Sequence, residues 1–370
     1  MSTYLLDRRE PRLSAGIGLR IVVVLLVLAP VVWFVALRSP DRDAPGSDRF
    51  GSGPQVFVSG QGGGVAASVR TAPNHCSVVS RTASELREAA TRNTAARDFA
   101  CAERLWTAYL ERVPHDSHGL ANLGIAQNRR DAHELAVVQF KKAIDAGEGA
   151  YDLFAYYADS LAKLGRIDEA IDWSYRALLV VPSLVDVRGS LAKLLVRRQR
   201  PHEALALLQS FDVASEAKGQ PAYFTGQRIA IESGLRDSRS GQASAGAPLR
   251  LPMHEGHYYA PVTFGSARPA AFLVDTGATW TVMSKVMLDA SKADHRKLES
   301  AVQMRTADGR RVRAQMVALV SMHVGPFTLE NVQVVVCEGC VPLLGQATLS
   351  RFDLKSSRVQ GVEFLTLARR

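Results

Sequence analysis

Cysteine is scarce in this sequence, with four among 370 residues: Cys76, Cys101, Cys337 and Cys340. One C-x-x-C segment is present, Cys337-Glu-Gly-Cys340, and a zinc site of that type would need a second pair or neighbouring histidines. We therefore predict no metal and no cofactor. The segment is interpreted as a local disulfide or as two plain thiols, and Cys76 with Cys101 is a second candidate pair.

A dense basic cluster is also missing, although 45 Lys and Arg against 36 Asp and Glu give a formal net charge of +9. The basic residues are scattered and are not interleaved with aromatics, so we predict a solvated basic surface and no nucleic-acid partner. Hydrophobic residues make up 47% of the chain, which excludes a chain that is disordered throughout. A chain of this length is expected to form two or three domains.

Long apolar runs are rare, but residues 21–37 form one without any charge. This length is near the lower limit for a membrane-spanning helix. Four arginines precede the run, which favours a cytoplasmic location for residues 1–20. We interpret the run as an uncleaved transmembrane anchor that leaves the rest of the chain outside the cytoplasmic membrane. A cleaved signal peptide is the alternative, although no convincing small-x-small cleavage site follows.

Alanine recurs every 34 residues after a Gly-, Pro- and Ser-rich tether at residues 38–79. The residues that carry this period are Ala102, Ala136, Ala170 and Ala204. In three of the four cases a bulky side chain stands four positions later, as it does at Trp106, so small and large residues share a helix face. This spacing predicts a helical domain over residues 80–235, and residues 236–248 form a second small, polar linker.

The 34-residue period resembles that of the tetratricopeptide repeat. The best unit is residues 151–182, with Gly165 in its turn and Pro182 at its end. The resemblance implies an all-α solenoid whose concave face binds a peptide or protein partner. The residues that carry the pattern are packing positions, so they do not identify that partner.

The apolar spacing changes after residue 248 from helical to alternating, which predicts a mostly-β domain over residues 249–370. Short helices are predicted at residues 283–291 and 346–350. Asp308-Gly309 lies between two strand-like runs and predicts a hairpin over residues 304–312.

An apolar strand in this domain leads directly into Asp275-Thr276-Gly277, and Leu344-Gly345 follows downstream before a short predicted helix. Together these segments resemble the retropepsin-like aspartic proteases over residues 258–367. The resemblance implies that Asp275, Thr276 and Gly277 form the catalytic loop. It extends to bacterial members that are anchored in the inner membrane and face the periplasm or the cell exterior.

The sequence offers half of such a site, because it contains one Asp-Thr-Gly. Metal-free peptide hydrolysis by this family needs two carboxylates that share one proton. Asp353 lacks the Thr-Gly context and is interpreted as structural. We therefore predict a homodimer through the protease domain, with Asp275 supplied by two chains, Thr276 bracing the two loops and Gly277 allowing close backbone approach.

The resemblance also implies a flap and a substrate-binding wall. The hairpin over residues 304–312 is interpreted as the flap, and an ordinary surface hairpin is the alternative. The substrate-binding candidates are Ala278, Thr279, Ala307, Asp308, Gly309, Leu344 and Gly345. Ala278 cannot donate a side-chain hydrogen bond to the carboxylate, so we predict a less acidic optimum than that of digestive aspartic proteases.

Two other classes of function compete with proteolysis. The first is a catalytically silent scaffold in the periplasm that binds peptides or proteins. The second is a phosphate loop, since Asp-x-Gly-x-Thr also occurs in sugar kinases and actin-like ATPases, but those folds need two motifs in a larger α/β unit. A metal site at His254-Glu-Gly-His257 is disfavoured, because it lacks the helical spacing and a third ligand.

Overall fold

The computed structural model describes residues 5–6, 76–239, 247–305, 309 and 311–370. Nine of the described helices lie between residues 83 and 239 and are called here the repeat array. They are α1 Ala83–Ala95, α2 Phe99–Leu110, α3 Ser117–Asn128, α4 His133–Asp145, α5 Tyr151–Lys163, α6 Ile167–Val180, α7 Val185–Arg197, α8 Pro201–Ala217 and α9 Thr225–Arg239.

Helices α1 to α8 pack as four consecutive pairs, and the 34-residue alanines lie in the second helix of every pair. All four alanines are fully buried, which lets the two helices of a pair approach closely. Gly124 of α3 has the same effect, because a Cβ there would lie 2.7 Å from the ring of Phe140 on α4. The predicted helical solenoid is therefore present, and its small residues mark the contacts between helices.

Local sequence signals place the helix ends. Thr82 and Glu85 form a capping box in which each side chain accepts a hydrogen bond from the other residue's backbone N–H. Asp98 and Asp116 cap α2 and α3 by accepting from the backbone three residues on. Pro201 opens α8, where a missing N–H costs nothing.

The remaining elements form a β-rich domain after the repeat array. Its strands are β2 Leu249–Pro252, β3 Tyr259–Thr263, β4 Ala270–Val274, β5 Thr281–Ser284, β6 His295–Arg305, β7 Arg311–Val324, β8 Phe327–Cys337, β9 Leu343–Leu344, β10 Phe352–Val359 and β11 Val362–Arg369. Two short helices complete it, α10 Lys285–Ser291 and α11 Gln346–Leu349.

Most of these strands form one sheet in the order β6-β7-β3-β4-β9-β5-β8, and β7 also pairs with β8. The additional pairing closes the sheet on itself. Strand β4 runs parallel to β9, and β5 runs parallel to β8. Strands β10, β11 and β2 form a separate antiparallel sheet.

The repeat array and the β-rich domain belong to one compact unit and share buried side chains. Val362 and Phe364 of β11 belong to the apolar cluster of the array. Conversely, Ala206 of α8 belongs to the apolar cluster of the β-rich domain. The ring of Phe364 meets that of Tyr175 edge-on, with centroids 4.9 Å apart. The two parts therefore do not have separate cores.

Polar contacts reinforce this junction at several points. The Gln209 side chain donates to the carbonyl of Pro269 at 2.8 Å, and Arg176 donates to the carbonyl of Gln360 at 2.8 Å. Helix α9 extends to Arg239, and residues 240–246 of the predicted second linker lie outside the described residues.

The predicted membrane anchor at residues 21–37 lies outside the described residues. Among the helices that are described, none combines the length and apolar character needed to cross a bilayer. A two-residue strand, β1 Leu5–Leu6, pairs with Met304 and Arg305 of β6. This pairing and a cytoplasmic location of residues 1–20 exclude each other within one chain if the β-rich domain is exported.

Candidate active site

Asp275 stands at the end of β4, where the sheet fixes the backbone on both sides. Leu273 and Val274 are paired in parallel with Leu343 and Leu344 of β9. The Val274 N–H donates to the carbonyl of Tyr258 at 2.9 Å. A carboxylate at the end of a strand held from two neighbours is placed with little freedom.

The backbone of β9 also holds Asp275 itself. Its N–H donates to the carbonyl of Leu344 at 3.0 Å. Within the loop, the Gly277 N–H donates to Asp275 Oδ1 at 2.9 Å, and the Ala278 N–H donates to the Asp275 carbonyl at 3.3 Å. The bond from the Gly277 N–H orients the Asp275 carboxylate.

Hydrogen bonds from helix α11 fix the rest of the loop. The backbone N–H groups of Gln346 and Ala347 donate to the carbonyls of Ala278 and Thr279 at 2.8 and 2.9 Å. The Gln346 side chain reaches further and donates to the Thr276 carbonyl at 2.9 Å. The Asp-Thr-Gly loop and the start of α11 therefore form one hydrogen-bonded layer.

A buried pair of hydroxyl groups lies under this layer. Thr281 Oγ1 accepts from the Gly345 N–H at 3.2 Å and donates to Thr348 Oγ1 at 2.7 Å. Both threonines are fully buried. A Cβ on Gly345 would lie 2.3 Å from the carbonyl oxygen of Trp280, so the contact between the two segments requires glycine.

The loop presents its catalytic candidates toward the surface. Asp275 is half-buried, and Thr276, Gly277 and Thr279 are exposed. Ala278 is fully buried beneath them. The carboxylate is thus accessible to water, a substrate or a second protein chain.

The predicted flap corresponds to the hairpin of β6 and β7, which pair antiparallel up to Arg305 and Arg311. Ala307 and Asp308 lie outside the described residues. Gly309 is exposed and has a φ of +84°, a conformation typical of glycine in turns. The role of this hairpin as a flap stays a prediction.

Both candidate cysteine pairs are disulfide-bonded. Cys337 ends β8 and its bond to Cys340 closes the turn that leads into β9. The disulfide therefore constrains the segment that holds Asp275 from the other side. Asp353 is exposed and forms an ion pair with Arg370 at 2.8 Å.

Sequence reasoning missed three residues that build the site: Gln346, Thr281 and Thr348. The sequence feature that could have indicated them is their proximity to the motifs. Thr281 follows the Asp-Thr-Gly loop, and the other two follow Leu344-Gly345. The pattern does not reveal that Thr281 and Thr348, 67 residues apart, share a hydrogen bond.

Comparison with known proteins identifies a family over these same segments. A family model described as gag-polyprotein putative aspartyl protease matches residues 260–351, which include both segments of the site. A search of curated protein sequences found no match to the chain.

Several solved structures are similar to part of the chain. YrrB, described as a TPR protein with an unusual peptide-binding site, is 20% identical with a TM-score of 0.33, covering 34% of this chain and 66% of that one. A tetratricopeptide repeat protein from Parabacteroides merdae is 20% identical with a TM-score of 0.36, and the match covers 43% of this chain and 61% of that one. The first TPR of Spaghetti (RPAP3), bound to an HSP90 peptide, is 16% identical with a TM-score of 0.30, and the match covers 32% of this chain and 93% of that one.

The repeat assignment rests on the 34-residue spacing of buried alanines and on the helix pairs that carry them. Residues 260–351 thus match the model of a retropepsin-like aspartyl protease family, and a tetratricopeptide-like helical array precedes them.

Proposed function

We propose that the chain is an aspartic endopeptidase that acts as a homodimer, with Asp275 supplied by two chains. The observation that carries the proposal is the position of Asp275, half-buried on a loop that β9 and α11 hold by backbone hydrogen bonds. The sequence has one Asp-Thr-Gly, so a pair of such carboxylates needs a second copy.

In that pair the two carboxylates share one proton, because two negative charges held so close together repel each other and only one of the groups is ionised at a time. The ionised carboxylate takes a proton from water as the water oxygen attacks the peptide carbonyl carbon. The protonated carboxylic acid then gives its proton to the leaving amide nitrogen as the C–N bond breaks. The Gly277 N–H, which donates to Asp275 Oδ1, holds the carboxylate in place during both transfers.

The repeat array would bind a substrate or partner protein close to this site. Because Phe364 and Ala206 join the array to the β-rich domain through shared apolar packing, a bound protein is held at a defined distance from Asp275. The apolar run at residues 21–37 would tether the enzyme to an inner membrane with the C-terminal domains outside. This orientation requires that residues 5–6 separate from β6.

Cleavage of a peptide library by the full chain, followed by mass spectrometry, tests the proposal. Asp275→Asn should abolish every cleavage product, whereas Asp353→Asn should retain them, since Asp353 is an exposed partner of Arg370. Cleavage that survives in Asp275→Asn would refute the mechanism. A monomeric chain that cleaves nothing would support the scaffold alternative.

Mixing experiments test the dimer separately. Adding an equal amount of Asp275→Asn chain should reduce the wild-type rate to about half. The addition doubles the number of dimers, and random exchange leaves only a quarter of them fully wild-type, which is half of the original number. An unchanged rate after exchange has been verified would contradict a shared site. Protease accessibility of tags at the two termini in intact cells tests the predicted orientation.

A further inference from the structure

A cavity of about 370 Å³ lies at the junction of the repeat array and the β-rich domain. Helices α6, α7 and α8 form one side, and residues 252–256 and 361–363 form the other. The apolar part of its wall includes Leu178, Leu179, Pro182, Leu207, Met253 and Val362. Cavities of this size and character accommodate small ligands.

Arg188 of α7 lines this cavity and is 2% exposed. Two of its nitrogens donate to the carbonyls of Leu207 and Pro182, at 3.2 and 2.8 Å. Its Nε has no hydrogen-bond partner among the described residues. Burial lowers the pKa of this guanidinium to about 10, so the side chain remains a cation at neutral pH.

His254 lines the same cavity from the β-rich side and is 8% exposed. Its Nε2 is also buried without a hydrogen-bond partner among the described residues. Two polar side chains from opposite parts of the molecule therefore leave unsatisfied nitrogen atoms at one cavity. Such atoms usually have a partner, because burying them alone is costly.

Two carboxylates, Asp212 and Glu255, favour the charged form of Arg188 only in part, because both already have basic partners. Glu255 forms an ion pair with Lys218 at 2.7 Å, and Glu363 forms one with Arg358. Neither of these basic partners lines the cavity. A buried cation whose nearby carboxylates already have other partners is unfavourable, and an anionic ligand would supply a further negative charge.

We propose that this cavity binds a small amphipathic carboxylate whose charged group is held by Arg188 and His254. Its apolar body packs against the leucine-rich side of the wall. The C-terminal residue of a peptide and a free short-chain carboxylic acid share this chemistry. The site is separate from Asp275, and the proposal does not require that the β-rich domain cleave peptides.

Titration calorimetry on the full chain tests the proposal without any substitution. The probes are N-acetylleucine, which represents a peptide C-terminus, and 4-methylpentanoate, which represents a free acid, each beside its primary amide. At least one carboxylate should bind about tenfold more tightly than its amide, because a charge-assisted bond to Arg188 is lost in the amide. Preference between the two carboxylates identifies the source.

Arg188→Met should remove the preference for the acid over the amide, because methionine keeps apolar bulk without the cation. Arg198→Met is the matched control, since Arg198 is an exposed arginine beside α7 that pairs with Asp168. Equal binding of acid and amide to the wild-type chain, or binding of neither at millimolar concentration, would overturn the proposal. That comparison holds even if Arg188→Met does not fold.

Discussion

The side-chain amide of Gln346 donates a hydrogen bond to the backbone carbonyl of Thr276 at 2.9 Å. This bond joins the first residue of α11 to the middle of the Asp-Thr-Gly loop. Both residues are exposed, so the bond positions the loop rather than packing the core.

Gln346→Glu removes this donor and keeps the size of the side chain. We expect peptide cleavage to fall about tenfold or more through misplacement of the carboxylate. The free energy of unfolding should change by only about 1 kcal/mol. Steady-state kinetics measures the effect on cleavage, and thermal unfolding measures the effect on stability. Gln333→Ala is the control, because it removes another exposed side-chain amide, on β8. An equal loss of activity in the control would contradict a positioning role for Gln346.

Gly345→Ala should damage the fold of the site. The added Cβ would lie 2.3 Å from the Trp280 carbonyl, so β9 and the catalytic loop must move apart. We expect a loss of about 3 kcal/mol or more, measured by denaturant unfolding. Gly226→Ala in α9 meets open space and should be neutral or stabilising. Equal stability of the two variants would refute the close contact.

Phe364→Ala should destabilise both parts of the molecule together, by about 3–5 kcal/mol. The ring belongs to the apolar cluster of the repeat array although it is carried by β11. Hydrogen exchange should therefore accelerate in α6 as well as in β11. Phe352→Ala is the matched control, because Phe352 is equally buried within the β-rich cluster alone. Faster exchange confined to β11 in Phe364→Ala would indicate independent cores.

His254 should make stability depend on pH. Burial, followed by the nearby charge of Arg188, lowers the pKa of His254 to about 4, and Lys218 acts in the same direction while Glu255 opposes it. The unfolded chain then binds the proton more readily, near pH 6.5. Stability is fully present above that value and falls by up to about 3 kcal/mol as pH decreases toward 4.

Comparing wild type with His254→Asn isolates this contribution, since the other titrating groups are common to both chains. The wild-type curve from chemical denaturation should fall more steeply between pH 6.5 and 4 than that of the variant. Parallel curves would show that His254 titrates alike in the folded and unfolded chains.

Ala278→Ser tests the predicted mild pH optimum. A hydroxyl on this residue, next to Gly277, would be able to donate to the Asp275 carboxylate and favour its ionised form. We expect the acidic limb of the pH–rate profile to move to lower pH. A wild-type optimum near pH 2–3 would refute the role assigned to Ala278, because digestive aspartic proteases titrate at about 1.5 and 4.7.

Much of this fold could be predicted because local patterns dictate it. The spacing of Ala102, Ala136, Ala170 and Ala204 predicts the helix pairs, and the alternation after residue 248 predicts the β-rich domain. The junction could not be predicted, because alternation shows that Phe364 is buried without showing what covers it. His254 lies between β2 and β3, and its burial against α7 and α8 depends on the same unpredictable packing.

The hydrogen bond from Gln346 to Thr276 joins residues that are 70 positions apart in the sequence, and this separation determines when during synthesis the bond is able to form. During synthesis the Asp-Thr-Gly segment leaves the ribosome well before residues 341–348, which complete its scaffold. Contacts so distant in sequence form late in folding, because the intervening chain must be ordered first. A nascent chain thus carries Asp275 on an unassembled loop, and the carboxylate acquires its defined position only after residues 341–348 have also been synthesised.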